Sequence, residues 1–92
     1  MAAKASTKKA AMRAYVLIET SAGKAKTVKM RLTRLKDGGS QVLALDAVTG
    51  PYDFIAVIEG PTIDSLGRLV TDGIGSIAGV TRTTTCVAVS VG

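Results

Sequence analysis

The stretch QVLALDAVTGPYDFIAVIE, residues 41–59, decides how the rest of this chain is read. Gln41 to Val48 and Tyr52 to Glu59 are two runs of strand-forming residues, and Thr49-Gly50-Pro51 between them is a turn signal. Two such runs joined so briefly form a hairpin. On its N-terminal side, Ala25, Val28, Leu32 and Leu35 recur at helical spacing while Lys26, Lys29, Arg31, Arg34 and Lys36 point elsewhere, which predicts an amphipathic helix begun near Ser21. Asp37-Gly38-Gly39-Ser40 stops it. On the C-terminal side, Gly60-Pro61-Thr62 opens a second helix with Thr62 as N-cap, Asp64 near the positive end of its dipole, and an apolar stripe of Ile63, Leu66, Val70, Ile74 and Ile77. Gly67, Gly73 and Gly75 each cost about 1 kcal/mol against alanine in a helix interior, so its last turns are expected to fray or to need close backbone contact before Ala78-Gly79 ends them.

The outermost segments are both strands. From Met12 to Thr20, Ala14, Val16 and Ile18 alternate with Tyr15, Leu17 and Glu19, so this strand is apolar on both faces for most of its length. Thr81 to Val91 is a long β-branched run with Thr83, Thr85, Val87 and Val89 on one side and Thr84, Cys86, Ala88 and Ser90 on the other. The order β-α-β-β-α-β predicts an α+β, ferredoxin-like sandwich, with a four-stranded antiparallel sheet carrying both helices on one face. The opposite face is left uncovered, and Tyr15, Leu17, Ile55 and Val57 are expected there together. An apolar patch of that kind predicts a partner, and the expected partner is a second copy of the chain.

Composition bounds the function classes. Ninety-two residues make one domain, and so short a chain hides little surface when folded alone, which again favours self-association. Residues 1–11 lack hydrophobic periodicity and are expected to be a flexible basic tail, leaving 12–92 as the folded domain. The net charge of +5 shrinks to +2 once Lys4, Lys8 and Lys9 of that tail are set aside (5 − 3 = 2), so the body is only mildly basic. The tail has no aromatic residues to stack on bases and reads as solvated, with no direct nucleic-acid contact. No run of 18 apolar residues and no apolar N-terminal stretch is present, so the expectation is a cytoplasmic protein without membrane contact. One cysteine and no histidine argue against disulfides, metals and cofactors.

Three segments together resemble a known family: Ala14-Tyr15-Val16-Leu17-Ile18, Val48-Thr49-Gly50-Pro51-Tyr52-Asp53, and Ile77-Ala78-Gly79-Val80-Thr81-Arg82-Thr83-Thr84-Thr85. Over residues 12–91 the chain is similar to the ligand-sensing (RAM) domain of the Lrp/AsnC transcription regulators. The resemblance implies a two-fold dimer through the sheets, assembly of dimers into larger oligomers, and an amino-acid effector in clefts between dimers. It also implies transcription regulation, with a full-length regulator of the same family as a possible partner. Only 11 residues precede the first strand, too few for a helix-turn-helix, so the chain resembles the stand-alone members. Lys36-Asp37-Gly38-Gly39-Ser40 departs from the proline-glycine turn expected at the end of the first helix.

Each candidate motif carries two readings. Gly50, Tyr52 and Asp53 either offer amides and a carboxylate to the charged ends of an amino acid or form a structural turn with Asp53 as a local acceptor. Thr83 and Thr85 share a face at i, i+2 and either hydrogen-bond a polar effector or reflect β-propensity. The resemblance implies the effector role for all five. Gly73-x-Gly75-x-x-Ala78 matches part of a dinucleotide fingerprint but closes a helix where that motif must open one, so it is discarded. Cys86 reads as a buried thiol with no histidine to activate it. Glu19, Asp37, Asp46, Asp53, Glu59, Asp64 and Asp72 form no recognisable acid–base pair, which weighs against a dimeric α+β barrel enzyme of similar topology. A purely structural self-assembly module remains the other alternative to an effector-binding domain.

Overall fold

A computed structural model describes residues 11–91. The expected tail at 1–11 therefore lies, but for Ala11, outside the described residues. The elements are β1 (Met12–Thr20), α1 (Ala25–Leu32), β2 (Lys36–Asp37), β3 (Ser40–Ala47), β4 (Phe54–Gly60), α2 (Ile63–Arg68) and β5 (Val80–Val87), with a π-helical segment Leu69–Gly73 and a 3₁₀ turn Ile74–Ser76 continuing α2. All strands join one antiparallel sheet in the order β2-β3-β4-β1-β5, which is the ferredoxin-like arrangement with one short strand added at the edge.

That strand corrects the expected count of four. Asp37-Gly38-Gly39-Ser40 does more than end a helix. Asp37 pairs with Ser40, and Gly38 and Gly39 sit at φ +55° and +88°, a two-residue turn whose twist matches a hairpin. The first helix also starts later than expected, at Ala25, because Ser21–Lys24 is committed elsewhere. Ser21 N donates to Gly79 O at 2.8 Å, and Lys24 N donates to Ser21 O at 3.1 Å.

The core lies between the sheet and the helices. Ala14, Val16 and Ile18 of β1 face Ile58, Ala56 and Phe54 of β4, and all six are buried. Val28 and Leu32 of α1 cover them, while Ala25, expected in the same stripe, is exposed. In the second helical region Leu66, Val70, Ile74 and Ile77 are buried as expected. Ile63 is 50% exposed and Leu69 fully buried instead. The winding explains the exchange. A π turn takes an extra residue, which shifts the phase of the stripe so that adjacent Leu69 and Val70 both face the core. The glycine-weakened helix thus changes pitch, from α to π to 3₁₀, over Leu69–Ser76.

β5 stops at Val87, opposite Ala14 and short of the expected Val91; beyond it Ala88 N adds one more bond to β1, donating to Arg13 O at 2.9 Å. The face away from the helices holds Tyr15 opposite Val57 and Leu17 opposite Ile55, and none of the four is buried. Cys86 also lies here, opposite Tyr15, and is exposed. The buried-thiol expectation fails because β5 is an edge strand and no helix covers this side of it.

Candidate ligand-binding site

The hairpin residues singled out in the sequence lie at the C-terminal end of β1, with Thr83 beside that end and Thr85 opposite mid-strand Val16. The β3–β4 turn is closed by Val48 N, which donates to Asp53 O at 3.0 Å, and is tied to the central strand by Asp53 N, which donates to Ile18 O at 2.8 Å. The Asp53 side chain adds a second tie. Its Oδ2 accepts from Thr20 N at 2.7 Å and from Thr20 Oγ1 at 3.1 Å. Asp53 is therefore a structural acceptor, but its donors lie on β1, 33 positions away, and not within the turn as the local reading expected. A carboxylate has about four lone-pair positions, and the described residues leave Oδ1 without a hydrogen bond, so Asp53 keeps an acceptor to offer. Gly50 is exposed at the tip of the turn and Tyr52 half-buried beside it.

On the other side of β1, Thr83 lies opposite Ile18 and Thr85 opposite Val16. Opposed residues of an antiparallel pair project to the same face, so both hydroxyls stand on the helix side of the sheet. The helices do not reach this edge. Thr83 is half-buried and Thr85 exposed, which leaves a polar strip along β5. Thr20, Ser21 and Gly79 complete this end of the molecule; in the sequence they marked only element ends and a family segment, not a shared site. Only the fold brings Thr20 to Asp53 and Ser21 to Gly79, and no spacing rule could have paired them.

One subunit does not gather all five candidates into one pocket. The backbones of Asp53 and Thr83 flank β1 from opposite sides, two inter-strand spacings or about 10 Å apart. Neither of two described clefts is lined by any of the five. Among the described residues, no three metal-ligating side chains cluster and no helix is long and apolar enough to cross a membrane.

A split βαββαβ sandwich with an open apolar sheet face defines the class of small ferredoxin-like α+β domains. The family model of the Lrp/AsnC ligand-binding domain matches residues 13–91, and the chain belongs to that family. The fold is also similar to solved structures. The protein TTHA0845 from Thermus thermophilus is 32% identical with a TM-score of 0.78, over 87% of this chain and 95% of that one. E. coli AsnC is 20% identical with a TM-score of 0.76, over 86% of this chain and 51% of AsnC. The transcriptional regulator NMB0573 from Neisseria meningitidis, solved as its L-Met complex, is 20% identical with a TM-score of 0.70, over 86% of this chain and 50% of that one. The last two likenesses speak to the fold alone. No curated protein matches the chain by sequence.

Proposed function

We propose that this chain is a small-effector sensor that self-associates and has no catalytic role, taking an amino acid between the hairpin of one copy and the threonine strand of another. Gly50, Tyr52 and Asp53 serve as the hairpin half, and Thr83 and Thr85 as the strand half. The observation that carries this reading is the Asp53 carboxylate, held in place through Oδ2 by Thr20 while Oδ1 stays available for an ammonium. Backbone amides near Gly50 and the threonine hydroxyls suit the effector's carboxylate. Dimers form through the open sheet face and associate further, which brings the two half-sites together, and no cofactor is required. We place the protein in the cytoplasm, alongside the family's transcription regulators, with a full-length member of that family as a candidate partner. NMB0573, a protein of the same fold, was solved as its L-Met complex, which makes amino acids the effectors to test first.

Titration calorimetry across the twenty amino acids tests the sensing role, and heat from none of them at millimolar concentration would leave only self-assembly. Asp53→Asn is the informative variant, because an amide oxygen still accepts from Thr20 while the negative charge is gone. It should weaken binding by about 1.5–3 kcal/mol, and Thr83→Val or Thr85→Val by about 0.5–1.5. Unchanged affinity in all three folded variants refutes the site.

A further inference from the structure

β5 is an edge strand, and among the described residues nothing pairs with its outer side. Ala88 N donates to Arg13 O at 2.9 Å, so residue 88 turns its backbone toward β1. Backbone groups alternate along an antiparallel strand. Thr84 and Cys86 therefore also face β1, while the N–H and C=O of Thr83, Thr85 and Val87 point outward. The chain then runs on past the end of its partner strand. Val89 and Val91 are 78% and 92% exposed, in a stretch 88–91 whose one backbone bond among the described residues is that of Ala88. A cleft of about 510 Å3 lies where this overhang meets Met12, Arg13 and Glu59.

Sheet edges are usually blunted by charge, proline or a bulge, because bare backbone invites another strand. At the opposite edge β2 covers the start of β3, which then shifts register between Val42 and Ala44 and carries Asp46. β5 has no such device from Thr83 onward, and its pairing with β1 runs without a shift from Thr83 to Val87. Thr83-Thr84-Thr85-Cys86-Val87-Ala88-Val89-Ser90-Val91 holds no charge, no proline and no glycine, and six of these nine residues are β-branched. Residues 84–91 are all exposed.

We infer that the outer edge of β5 pairs with the same edge of a second copy, antiparallel about a two-fold axis at Val87. That register sets Val87 against Val87, Thr85 against Val89 and Thr83 against Val91. Each pair joins outward-pointing backbones, so the new ladder forms without disturbing the bonds to β1. The overhang of each copy covers the bare edge of the other. The axis stands normal to the sheet and keeps all helices on one side. Arg82 falls outside the paired stretch, so no charges meet. Such a contact closes on itself, whereas a foreign strand would have to bring its own uncharged edge. It is distinct from the open sheet face, and it is the weaker of the two because a ladder buries less apolar surface than a face.

The test combines sedimentation equilibrium with amide hydrogen exchange on the whole chain. The wild-type mass should double between micromolar and several hundred micromolar. Over the same range the amides of Thr85 and Val87, which point away from β1, should become protected from exchange. Val87→Pro removes an N–H at the axis that β1 does not use, and Val87→Lys sets like charges across the axis. Each should weaken the edge contact roughly tenfold or more and leave the open-face dimer in place. Leu17→Asp should still pair at several hundred micromolar, and Leu17→Asp combined with Val87→Pro should not. The inference is overturned if the Thr85 and Val87 amides exchange as freely at high concentration as at low. It is overturned too if folded Val87→Pro and Val87→Lys both assemble like the wild type. A doubling from one subunit rather than two, lost in both Val87 variants, would uphold the edge contact and refute the open-face dimer.

Discussion

Replacing Gly79 by alanine should unfold the protein well below the wild-type temperature, because this residue joins the β1–α1 turn to the start of β5. Its φ of +105° lies where side chains are strained, at a cost of about 1–3 kcal/mol. Space is also lacking. A Cβ would stand 2.8 Å from Lys24 Cβ and 3.0 Å from Val28 Cγ2. Lys24 cannot relieve the contact by moving its ammonium end, since Cβ is fixed by the backbone, and Val28 is fully buried. Overpacking of this kind adds about 1–3 kcal/mol, for a total of about 2–6. A domain of this size loses about 4–8 °C per kcal/mol, so the melt should fall by about 8 °C or more. Circular dichroism melts measure it, with both proteins at one concentration because self-association raises apparent stability. Gly67→Ala is the control. That glycine sits in α2 with nothing within 4 Å of a Cβ, and alanine there should be neutral or stabilising by up to about 1 kcal/mol. A Gly79→Ala melt within about 2 °C of wild type would refute the reasoning.

Two further predictions concern the open sheet face. Leu17→Asp or Val57→Asp should weaken self-association by about a hundredfold or more, since an unpaired charge would be buried in the interface, and light scattering at micromolar concentration should then report a monomer. An unchanged mass would place the interface elsewhere. Cys86, opposite Tyr15 on that face, should react slowly with a thiol reagent in the associated protein and quickly in the Leu17→Asp variant, and equal rates in both would count against a covered face.

The fold was legible where period alone decides. Alternation in Met12–Thr20 separates the buried set Ala14, Val16 and Ile18 from the open set Tyr15 and Leu17, and the structure keeps that division. It failed where the answer depends on what stands opposite. Asp37-Gly38-Gly39-Ser40 carries the composition of a two-residue hairpin turn, but one flanking strand is only Lys36–Asp37, too short for any periodicity to announce. Ile63 and Leu69 exchange burial because the π turn is a property of hydrogen-bond pitch, which the glycines at 67, 73 and 75 hint at without locating. Cys86 has the composition of a core residue, and its exposure comes from its place on the helix-free face of the sheet, opposite Tyr15.

The candidate site was legible as residue types and opaque as geometry, and the reason bears on how the site must work. Asp53 reads from sequence as either a turn acceptor or a ligand acceptor, as though the roles excluded each other. In the fold Asp53 is an acceptor for β1, which is compatible with the proposed ligand role. Two hydrogen bonds from Thr20 to one carboxylate oxygen fix the orientation of the other, so the group loses little freedom on meeting an ammonium. The threonines bear on the same question from the other side of β1. Their backbones stand across one intervening strand from that of Asp53, and neither of two described clefts brings them together with it inside a subunit. If the proposed site is built from both halves where two copies meet, effector affinity should rise with protein concentration through the range in which the copies associate. An affinity independent of protein concentration across that range would confine the ligand to one subunit and break the link between the two halves.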